Sequence, residues 1–235
     1  MKSHHVVAIL CNMNIKILTT QPKIYESFLK TGLLARGILK KIIDVKLVNL
    51  YDFGEGNHRS IDDTPYGGGP GMILRVDVLA KALAKSKIQN PKSKIILLTP
   101  QGKKFNQKMA KKLAKNKELI LISGRFEGYD ERIRGLVDEE ISIGDYVLTA
   151  GDLPAMVLIE AVSRQVPGFI EKPESLKEES FSENCLEYPH YTRPESFQGK
   201  KVPKILLSGN HAEISNWRKK EAVKRTQTRR PDLSS

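Results

Sequence analysis

The chain has 235 residues, of which 40% are hydrophobic and 28% are charged, and it carries a formal net charge of +12 at pH 7. This length allows one substantial hydrophobic core, or a core domain with a small second domain. Cys11 and Cys185 lie far apart, which argues against a disulfide scaffold and against a site built on paired cysteine ligands. The basic excess favours a polyanionic partner, with nucleic acid as the first candidate and a generic basic surface as the alternative.

The N-terminus contains a short apolar run, residues 6–11, behind the single basic residue Lys2. This run is too short and too weakly charged for a signal peptide, and no later run is long enough to span a bilayer. The sequence therefore predicts a cytoplasmic protein without a membrane partner.

Strand-like apolar runs alternate with helix-like segments, which predicts an α/β fold with a mainly parallel sheet. A helical stretch is expected at residues 24–41, broken around Gly32 and Gly37. The amphipathic helix Val76–Lys87 should bury Leu79 and Leu83, with Ala80 and Ala84 as further candidates. Shorter elements are predicted as strands at residues 15–19, 45–50, 95–98, 119–122 and 141–143, and as a helix at 108–115.

Several segments break this alternation. Residues 52–71 are polar and glycine-rich without a convincing period, and a loop of this length is usually functional or disordered. Asp152 is expected to cap the following helix, which has Pro154 in its first turn. Residues 167–182 have the composition of a linker. Asn210 begins a capping-box pattern and a helix that runs to Arg225.

The predicted organisation therefore has four parts. They are an N-terminal extension at residues 1–12, a core domain at 13–166, the linker at 167–182 and a C-terminal domain at 183–235. Trp217 is expected to pack in the core of the small domain rather than to stack on a base.

Three predicted strand ends are followed by loops that contain glycine, at residues 99–102, 124–128 and 143–146. In open α/β sheets ligands bind beyond the carboxyl ends of the strands, and glycine lets the backbone approach them closely. Any one loop alone is more simply a tight turn, but three in succession favour a nucleoside-type ligand. Dinucleotide and P-loop patterns are absent from the sequence, and residues 67–71 (GGGPG) lack a phosphate-binding lysine, which leaves a lid or a linker as alternatives.

Five segments closely resemble the bacterial tRNA (guanine-N1-)-methyltransferase family and occur in the family's order. The resemblance extends from about residue 15 to residue 231, and the residues before Met13 lie outside it. Its motifs are residues 62–72 (DDTPYGGGPGM), 124–128 (GRFEG), 142–148 (SIGDYVL), 189–194 (PHYTRP) and 207–214 (LSGNHAEI).

The resemblance implies an α/β fold of the SPOUT type with a deep trefoil knot, followed by a small, mostly helical C-terminal domain that binds tRNA. It also implies a homodimer with an active site shared between subunits, S-adenosyl-L-methionine as the methyl donor, and a tRNA carrying guanine at position 37 as the acceptor. The product would be 1-methylguanosine, 3′ of the anticodon. Knots are rare exceptions to the usual topology rules, and periodicity alone does not predict one. A Mg²⁺ requirement is not readable from the sequence.

The resemblance also implies a donor pocket. Backbone groups there could bind adenine, Leu98 and Leu148 could cover its two faces, and an acid could accept hydrogen bonds from the ribose hydroxyls. Without the resemblance, core packing would be the preferred interpretation of both leucines. Carried over position by position, the pocket comprises Leu98, Thr99, Pro100, Gly124, Phe126, Glu127, Gly128, Ile143, Gly144, Asp145, Tyr146, Val147, Leu148 and Pro154.

Methylation of guanine N1 requires in-line attack on the sulfonium methyl group and loss of the N1 proton. The family's catalytic aspartate aligns with Glu179 here, and the cation that stabilises charge at O6 aligns with Arg164. Glutamate has similar basicity but is one methylene longer, so Glu178 remains an alternative base. In isolation, the two acids would be interpreted as solvated linker charges and Arg164 as a helix-end cation.

Candidate tRNA-binding residues come from both ends of the matched region. Asp62 or Asp63, with Gly69 of the glycine-rich loop, is expected to contact the target guanine by resemblance, and His190 is expected to orient the nucleotide or to make a structural hydrogen bond. The C-terminal helix, with Arg218 and Lys219, would contact phosphates.

Ala150 stands where the family usually has glycine, so this position should not need a glycine-only conformation. Two alternatives to a tRNA guanine-N1 methyltransferase remain. One is an RNA-binding protein that lost turnover through the change at Glu179, and the other is a methyltransferase for another RNA or base position.

Overall fold

The computed structural model of the chain describes residues 13–87, 90–182 and 184–233. The predicted N-terminal extension, residues 1–12, lies outside them. The strands of the described residues are β1 (Met13–Thr19), β2 (Ile43–Asn49), β3 (Asp62–Asp63), β4 (Ile73–Leu74), β5 (Lys94–Lys104), β6 (Glu118–Ser123), β7 (Glu139–Ser142), β8 (Ser196–Phe197) and β9 (Lys200–Lys201). The α-helices are α1 (Glu26–Lys30), α2 (Gly32–Leu39), α3 (Val76–Lys87), α4 (Gln107–Leu113), α5 (Asp152–Ser163) and α6 (His211–Arg229). Short 3₁₀ helices occupy Pro22–Tyr25, Leu50–Phe53, Glu131–Leu136, Pro173–Lys177, Lys204–Leu207 and Pro231–Leu233.

The central feature is a five-stranded sheet in the order β2-β1-β6-β5-β7, and every pairing in it is parallel. All six residues of β6 are buried, which is typical of a strand covered on both faces. One face packs through Ile15, Ile17 and Leu121 against α2, α4 and α5. The other face packs through Ile120 and Ile122 against α3. The predicted α/β fold with a parallel sheet is therefore confirmed.

Helix α3 has the predicted bounds, because its apolar residues follow a helical spacing. Leu79 and Leu83 are buried as predicted. The expectation for the two alanines is wrong, since Ala84 is exposed and Ala80 is only partly buried. Ala82 is the buried alanine, because it lies three and four residues from the buried Leu79 and Val78.

The predicted helix break at Gly37 is also wrong. The helical stretch is interrupted between α1 and α2 at Thr31, and Gly37 lies inside α2. A Cβ atom at Gly37 would lie 2.5 Å from the ring of Phe169. Gly37 therefore admits a buried aromatic ring against the helix instead of ending the helix.

Two other elements extend beyond their predicted ends. Strand β5 continues past Leu98 to Lys104, through a register shift in its pairing with β7 between Leu98 and Lys103. Helix α6 extends to Arg229 rather than to Arg225. Its N-cap is the predicted one, because the Asn210 side chain accepts a hydrogen bond from the backbone N–H of Glu213.

The chain divides into two compact units between Glu171 and Lys172. Phe169 is buried in the first unit, so the first residues of the predicted linker pack with the sheet domain. The second unit contains α6 and the β8–β9 hairpin, and Trp217 is partly buried. Among the helices of the described residues, none combines the length and hydropathy needed to cross a bilayer.

Candidate active site

The carboxyl ends of β6 and β7 lie beside the register shift in β5 at one edge of the sheet. Leu98 of β5 is in register with Ser123 of β6 and with Ile141 of β7. The β5 residues that follow Leu98, the loops after β6 and β7 and the start of α5 enclose a cleft of about 190 Å³. The cleft is lined by Leu98, Thr99, Pro100, Gly124, Arg125, Phe126, Glu127, Gly128, Tyr129, Ile141, Ser142, Ile143, Gly144, Tyr146, Val147, Leu148, Thr149, Ala150, Gly151 and Pro154.

All the predicted donor residues except Asp145 line this cleft. Asp145 accepts a hydrogen bond from Lys104 at 2.5 Å, and its side chain is 82% exposed. The two leucines predicted to cover the faces of adenine differ in exposure, since Leu98 is 4% exposed and Leu148 is 38% exposed. Leu98 therefore belongs to the core as well as to the cleft, while Leu148 is available to a ligand.

Tyr129 fixes the floor of the cleft, and sequence reasoning did not identify it. Its hydroxyl lies 3.0 Å from the carbonyl oxygen of Leu98 and 3.3 Å from that of Ile122, so it donates between the ends of β5 and β6. Burial raises the pKa of Tyr129, which keeps the hydroxyl protonated as a donor. A Cβ atom at Gly124 would lie 2.2 Å from the ring, so only glycine fits there.

Asp152 has a different role from the predicted helix cap. Gly151 is the N-cap of α5, and Asp152 is the first helical residue and is 2% exposed. Its Oδ1 atom accepts hydrogen bonds from the hydroxyls of Thr19, Tyr25 and Ser123, each at 2.7 Å. Burial and the negative charge of Asp152 raise the pKa of Tyr25, so this hydroxyl also stays a donor.

This network holds the start of α5 against β1 and β6. The backbone N–H of Gly151 adds a hydrogen bond of 2.7 Å to the Gly124 carbonyl oxygen, which joins two walls of the cleft. The tethers of Asp152 and Gly151 thus fix the loop that bears Leu148. The sequence offered a signal for this network only in the placement of the acid directly before a buried helix.

The wall formed by residues 124–128 is also constrained. Phe126 has a left-handed backbone with φ of 61°, which costs on the order of 1 to 3 kcal/mol for a non-glycine residue. Hydrogen bonds of the neighbouring residues stabilise this conformation of Phe126. The Glu127 N–H donates to the Met72 carbonyl at 3.0 Å, and the Leu74 N–H donates to the Gly128 carbonyl at 3.0 Å.

These bonds attach the glycine-rich segment to the rim of the cleft. Gly71 has φ of 77°, and a Cβ atom there would lie 2.4 Å from the Glu127 side chain. Strand β4 pairs with β3, so Asp62 and Asp63 of β3 lie near the wall formed by residues 124–128. Gly69 lies in the exposed turn between the two strands, with φ of 132°.

Arg164, one of the two predicted catalytic residues, does not line the cleft of the first unit. Arg164 is the C-cap of α5, where its N–H donates to the Glu160 carbonyl, so its position is that of a helix-end cation. Glu179 belongs to the second unit and follows the 3₁₀ helix Pro173–Lys177; its carbonyl oxygen accepts from the Ser182 N–H.

The second unit contains a cluster of charged and aromatic side chains, here called the Tyr188 cluster: Glu178, Tyr188, His190 and Arg218. The Tyr188 hydroxyl donates to Glu178 at 2.8 Å, and the Arg218 guanidinium lies 4.7 Å from the centre of its ring. The His190 ring is 4.6 Å from the same ring. Of the predicted tRNA-binding residues in this unit, His190 and Arg218 are thus brought together, while Lys219 is exposed.

Burial raises the pKa of Tyr188, and its hydrogen bond to Glu178 raises it further. Tyr188 therefore remains a hydrogen-bond donor at neutral pH. In the described parts of the chain, no group of three or more His, Cys, Asp and Glu side chains is arranged to hold a metal ion.

Comparison with known proteins identifies the family. The family model described as tRNA (Guanine-1)-methyltransferase TrmD matches residues 13–235. The chain belongs to this family. The resemblance drawn from the five sequence motifs is thereby confirmed, and the chain is a member of an enzyme family.

Relatives of the tRNA (guanine-1)-methyltransferase family match nearly the whole chain. A protein of Dictyoglomus turgidum named tRNA (guanine-N(1)-)-methyltransferase is 49% identical over 221 residues, covering 94% of this chain and 89% of the relative. A protein of the same name from Citrifermentans bemidjiense is 49% identical over 222 residues, with coverage of 94% and 89%. The one from Clostridioides difficile is 46% identical over 226 residues, with coverage of 94% and 97%.

Proposed function

We propose that this protein transfers a methyl group from S-adenosyl-L-methionine to N1 of guanine 37 in tRNA, giving 1-methylguanosine. The observation that carries the proposal is the cleft at the carboxyl edge of the sheet, in a chain of the tRNA (guanine-1)-methyltransferase family. The residues that resemble the family's donor pocket surround one cavity, although they come from four separate segments of the chain.

The chemistry of the cleft fits the donor. Leu148, with Leu98 beside it, offers apolar surface to a purine ring, and Glu127 offers a carboxylate to ribose hydroxyls. Gly124 presents bare backbone where a side chain would collide with Tyr129. S-adenosyl-L-methionine, when bound, supplies an electrophilic methyl group on a positively charged sulfur.

Side chains of this protein would remove the N1 proton of the acceptor guanine and stabilise the charge that develops on it. A new bond forms between guanine N1 and the methyl carbon as the bond from sulfur to that carbon breaks, and the sulfur keeps the electron pair. The carboxylate of Glu179 takes the N1 proton, and the guanidinium of Arg164 stabilises the charge that develops at O6. S-adenosylhomocysteine and methylated tRNA are the products.

Of the two adjacent acids, Glu179 is proposed as the base because it aligns with the family's catalytic aspartate. The carboxylate of Glu178 already accepts from the Tyr188 hydroxyl and lies 4.0 Å from the Arg218 guanidinium. Glu178 is therefore better suited to hold the Tyr188 cluster together.

The guanine side of the site is proposed at the glycine-rich segment. Asp62, Asp63 and Gly69 lie on the β3–β4 hairpin that is hydrogen-bonded to the wall of the cleft. Carboxylates there can accept hydrogen bonds from the N2 amino group of guanine. His190, Arg218 and Lys219 would bind the nucleotide and nearby phosphates from the C-terminal domain, residues 183–235, joined through the linker at 167–182.

A trefoil knot and a homodimer belong to the same proposal. Strand β7 lies at the sheet edge beside β5, whereas the chain after it returns to Gly124 at the end of the more central β6. Such a return across a neighbouring strand end is compatible with threading. Arg164 is not among the residues that line the cleft of its own subunit, which favours an active site shared between subunits of a cytoplasmic dimer.

Transfer of a labelled methyl group from S-adenosyl-L-methionine to a tRNA transcript tests the function. We expect incorporation into a transcript with guanine 37 and none when adenine replaces that guanine. Tight tRNA binding without incorporation would instead support an RNA-binding protein. Methylation that persists after the replacement would assign the enzyme to another position.

Mixing two inactive variants tests the shared site. Gly124→Ala should damage the donor cleft, and Arg164→Ala should remove the cation without unfolding the protein. If each site combines the cleft of one subunit with the arginine of the other, mixed dimers contain one intact site, and activity should return on mixing. Activity that stays absent after subunit exchange would contradict the shared site.

A further inference from the structure

The most basic stretch of the chain lies in the first unit, outside the C-terminal helix expected to contact tRNA. Residues 103–117 contain seven lysines and no acidic residue. Helix α6, His211–Arg229, has six lysines and arginines but also two glutamates. All seven lysines of the stretch are exposed, and they are Lys103, Lys104, Lys108, Lys111, Lys112, Lys115 and Lys117.

The fold gathers these lysines on one surface, here called the α4 lysine surface. Ala110 and Leu113 are the buried residues of α4. The lysines at 108, 111 and 112 follow the spacing of neighbours on the opposite helical face, and Lys115 lies in the turn after the helix. Lys104 lies at the carboxyl edge of the sheet, in register with Ser142 of β7, and Lys117 directly precedes β6 at the amino edge.

The surface therefore extends from the cleft edge along the full height of the sheet. Six residues of β6 correspond to roughly 20 Å at about 3.3 Å per residue. A row of positive charges of this length suits several successive phosphates better than one nucleotide. An RNA backbone has this charge and this extent.

Most of the positive charge on the surface is not neutralised by acids. Lys104 pairs with Asp145 and Lys112 pairs with Glu139. Within residues 13–87, 90–182 and 184–233, Lys103, Lys108, Lys115 and Lys117 form no ion pair.

The arrangement does not serve helix stability. Lys108 and Lys112, four residues apart on the helix, repel each other by about 0.2 to 0.5 kcal/mol. Lys108 also lies in the first turn of α4, where the helix dipole favours an acid rather than a cation. A charged ligand would give these lysines a stabilising partner.

We infer that the α4 lysine surface binds the sugar-phosphate backbone of the tRNA. The inference rests on the proposed function for the identity of the RNA, and it adds a phosphate-binding face on the first unit to the contacts expected from α6. Its contribution is electrostatic and independent of base identity.

The test compares two triple variants with equal loss of charge. The first neutralises the surface with Lys108→Gln, Lys115→Gln and Lys117→Gln. The control neutralises three exposed lysines elsewhere in the first unit that also lack ion pairs among the described residues, with Lys23→Gln, Lys41→Gln and Lys92→Gln. A third variant, with Lys108→Arg, Lys115→Arg and Lys117→Arg, keeps the charge.

Filter binding of the tRNA transcript is measured over a range of salt concentrations without methyl donor. The surface variant should bind roughly 10-fold more weakly near physiological salt, and the slope of log affinity against log salt should decrease in magnitude by about 2, at about 0.7 to 0.9 per lost phosphate contact. The control and the arginine variant should keep the wild-type slope. With saturating tRNA, kcat of the surface variant should equal that of the wild type.

Equal loss in the surface variant and the control would overturn the inference, because binding would then depend on net charge alone. Unchanged affinity and slope in the surface variant would overturn it as well. Binding is measured apart from methyl transfer. A protein that needs the α4 lysine surface for tRNA binding but transfers no methyl group would therefore contradict the proposed function, while the inference about the surface would still hold.

Discussion

The cleft of the first unit is shaped by backbone and by buried side chains, whereas the Tyr188 cluster of the second unit consists of side chains at the protein surface. Tyr129 and Asp152 stand behind the cleft and hold three strand ends and a helix start in position. In the Tyr188 cluster, Glu178 and His190 have side-chain exposures of 63% and 61%.

This difference separates the two tasks proposed for the molecule. A small donor must be held in one geometry, and a cleft with fixed walls binds it without a large ordering cost. The tRNA is a flexible polyanion, and it would bind exposed side chains of the Tyr188 cluster, which can adjust to it. Substitutions in the cleft should therefore act on donor binding and stability, and substitutions in the second unit should act on tRNA binding and turnover.

The largest effect is expected from Glu179→Gln. Removal of a general base typically costs about 10²- to 10⁴-fold in rate, so turnover should nearly vanish while donor affinity remains. Single-turnover methyl transfer and calorimetric titration of the donor measure the two quantities. Glu178→Gln is the matched control and should retain most of the rate. A variant pair with the opposite pattern would assign the base to Glu178.

Gly124→Ala should weaken donor binding by roughly 10- to 100-fold. The added methyl group would lie 2.2 Å from the ring of Tyr129, and displacing that ring separates the ends of β5 and β6, at a cost of about 1 to 3 kcal/mol for overpacking. Gly135→Ala is the control, because no atom lies within 4 Å of its added Cβ. Calorimetry with S-adenosyl-L-methionine compares them, and equal affinities would show that the cleft tolerates movement of its floor.

The sequence was most informative where a pattern depends on local spacing. The apolar period of α3 gave its bounds, and the side-chain chemistry of Asn210 gave the start of α6. The glycine-containing loops at residues 124–128 and 143–146 marked strand ends that meet at the cleft, because parallel strands bring their carboxyl ends to one edge. The loop predicted at residues 99–102 is wrong, because these residues continue β5. Family resemblance then named the residues within those loops.

Features that depend on distant partners were missed or misassigned. An acid before a helix looks the same in sequence whether it caps that helix or, like Asp152, accepts from hydroxyls on β1 and β6. Gly37 resembles a helix breaker until Phe169, more than a hundred residues later, packs against it. The continuation of β5 beyond Leu98 likewise depends on pairing with β7, which local propensity does not contain.

Asp152→Ala should lower the free energy of unfolding by about 3 to 5 kcal/mol. Three buried hydroxyls would lose their common acceptor, and each unsatisfied group costs roughly 1 to 3 kcal/mol. Asp152→Asn keeps an acceptor oxygen and should lose about half as much. Urea unfolding measures both. Asp145→Ala, at an exposed acid of the same loop, should stay close to wild type, and an equal loss there would place the stabilising role outside the buried network.

The smallest effect is expected from Tyr188→Phe, which tests whether the exposed cluster is held together for tRNA. The change removes the hydrogen bond to Glu178 and keeps the ring beneath Arg218, so the loss should correspond to one hydrogen bond of about 1 kcal/mol. Near neutral pH the KM for tRNA should rise about 2- to 5-fold, with donor affinity unchanged. Tyr51→Phe removes a hydroxyl from the first unit and should leave both constants as they are. If Tyr188→Phe weakened donor binding instead, the division between a rigid donor cleft and an adaptable tRNA-binding surface would be wrong.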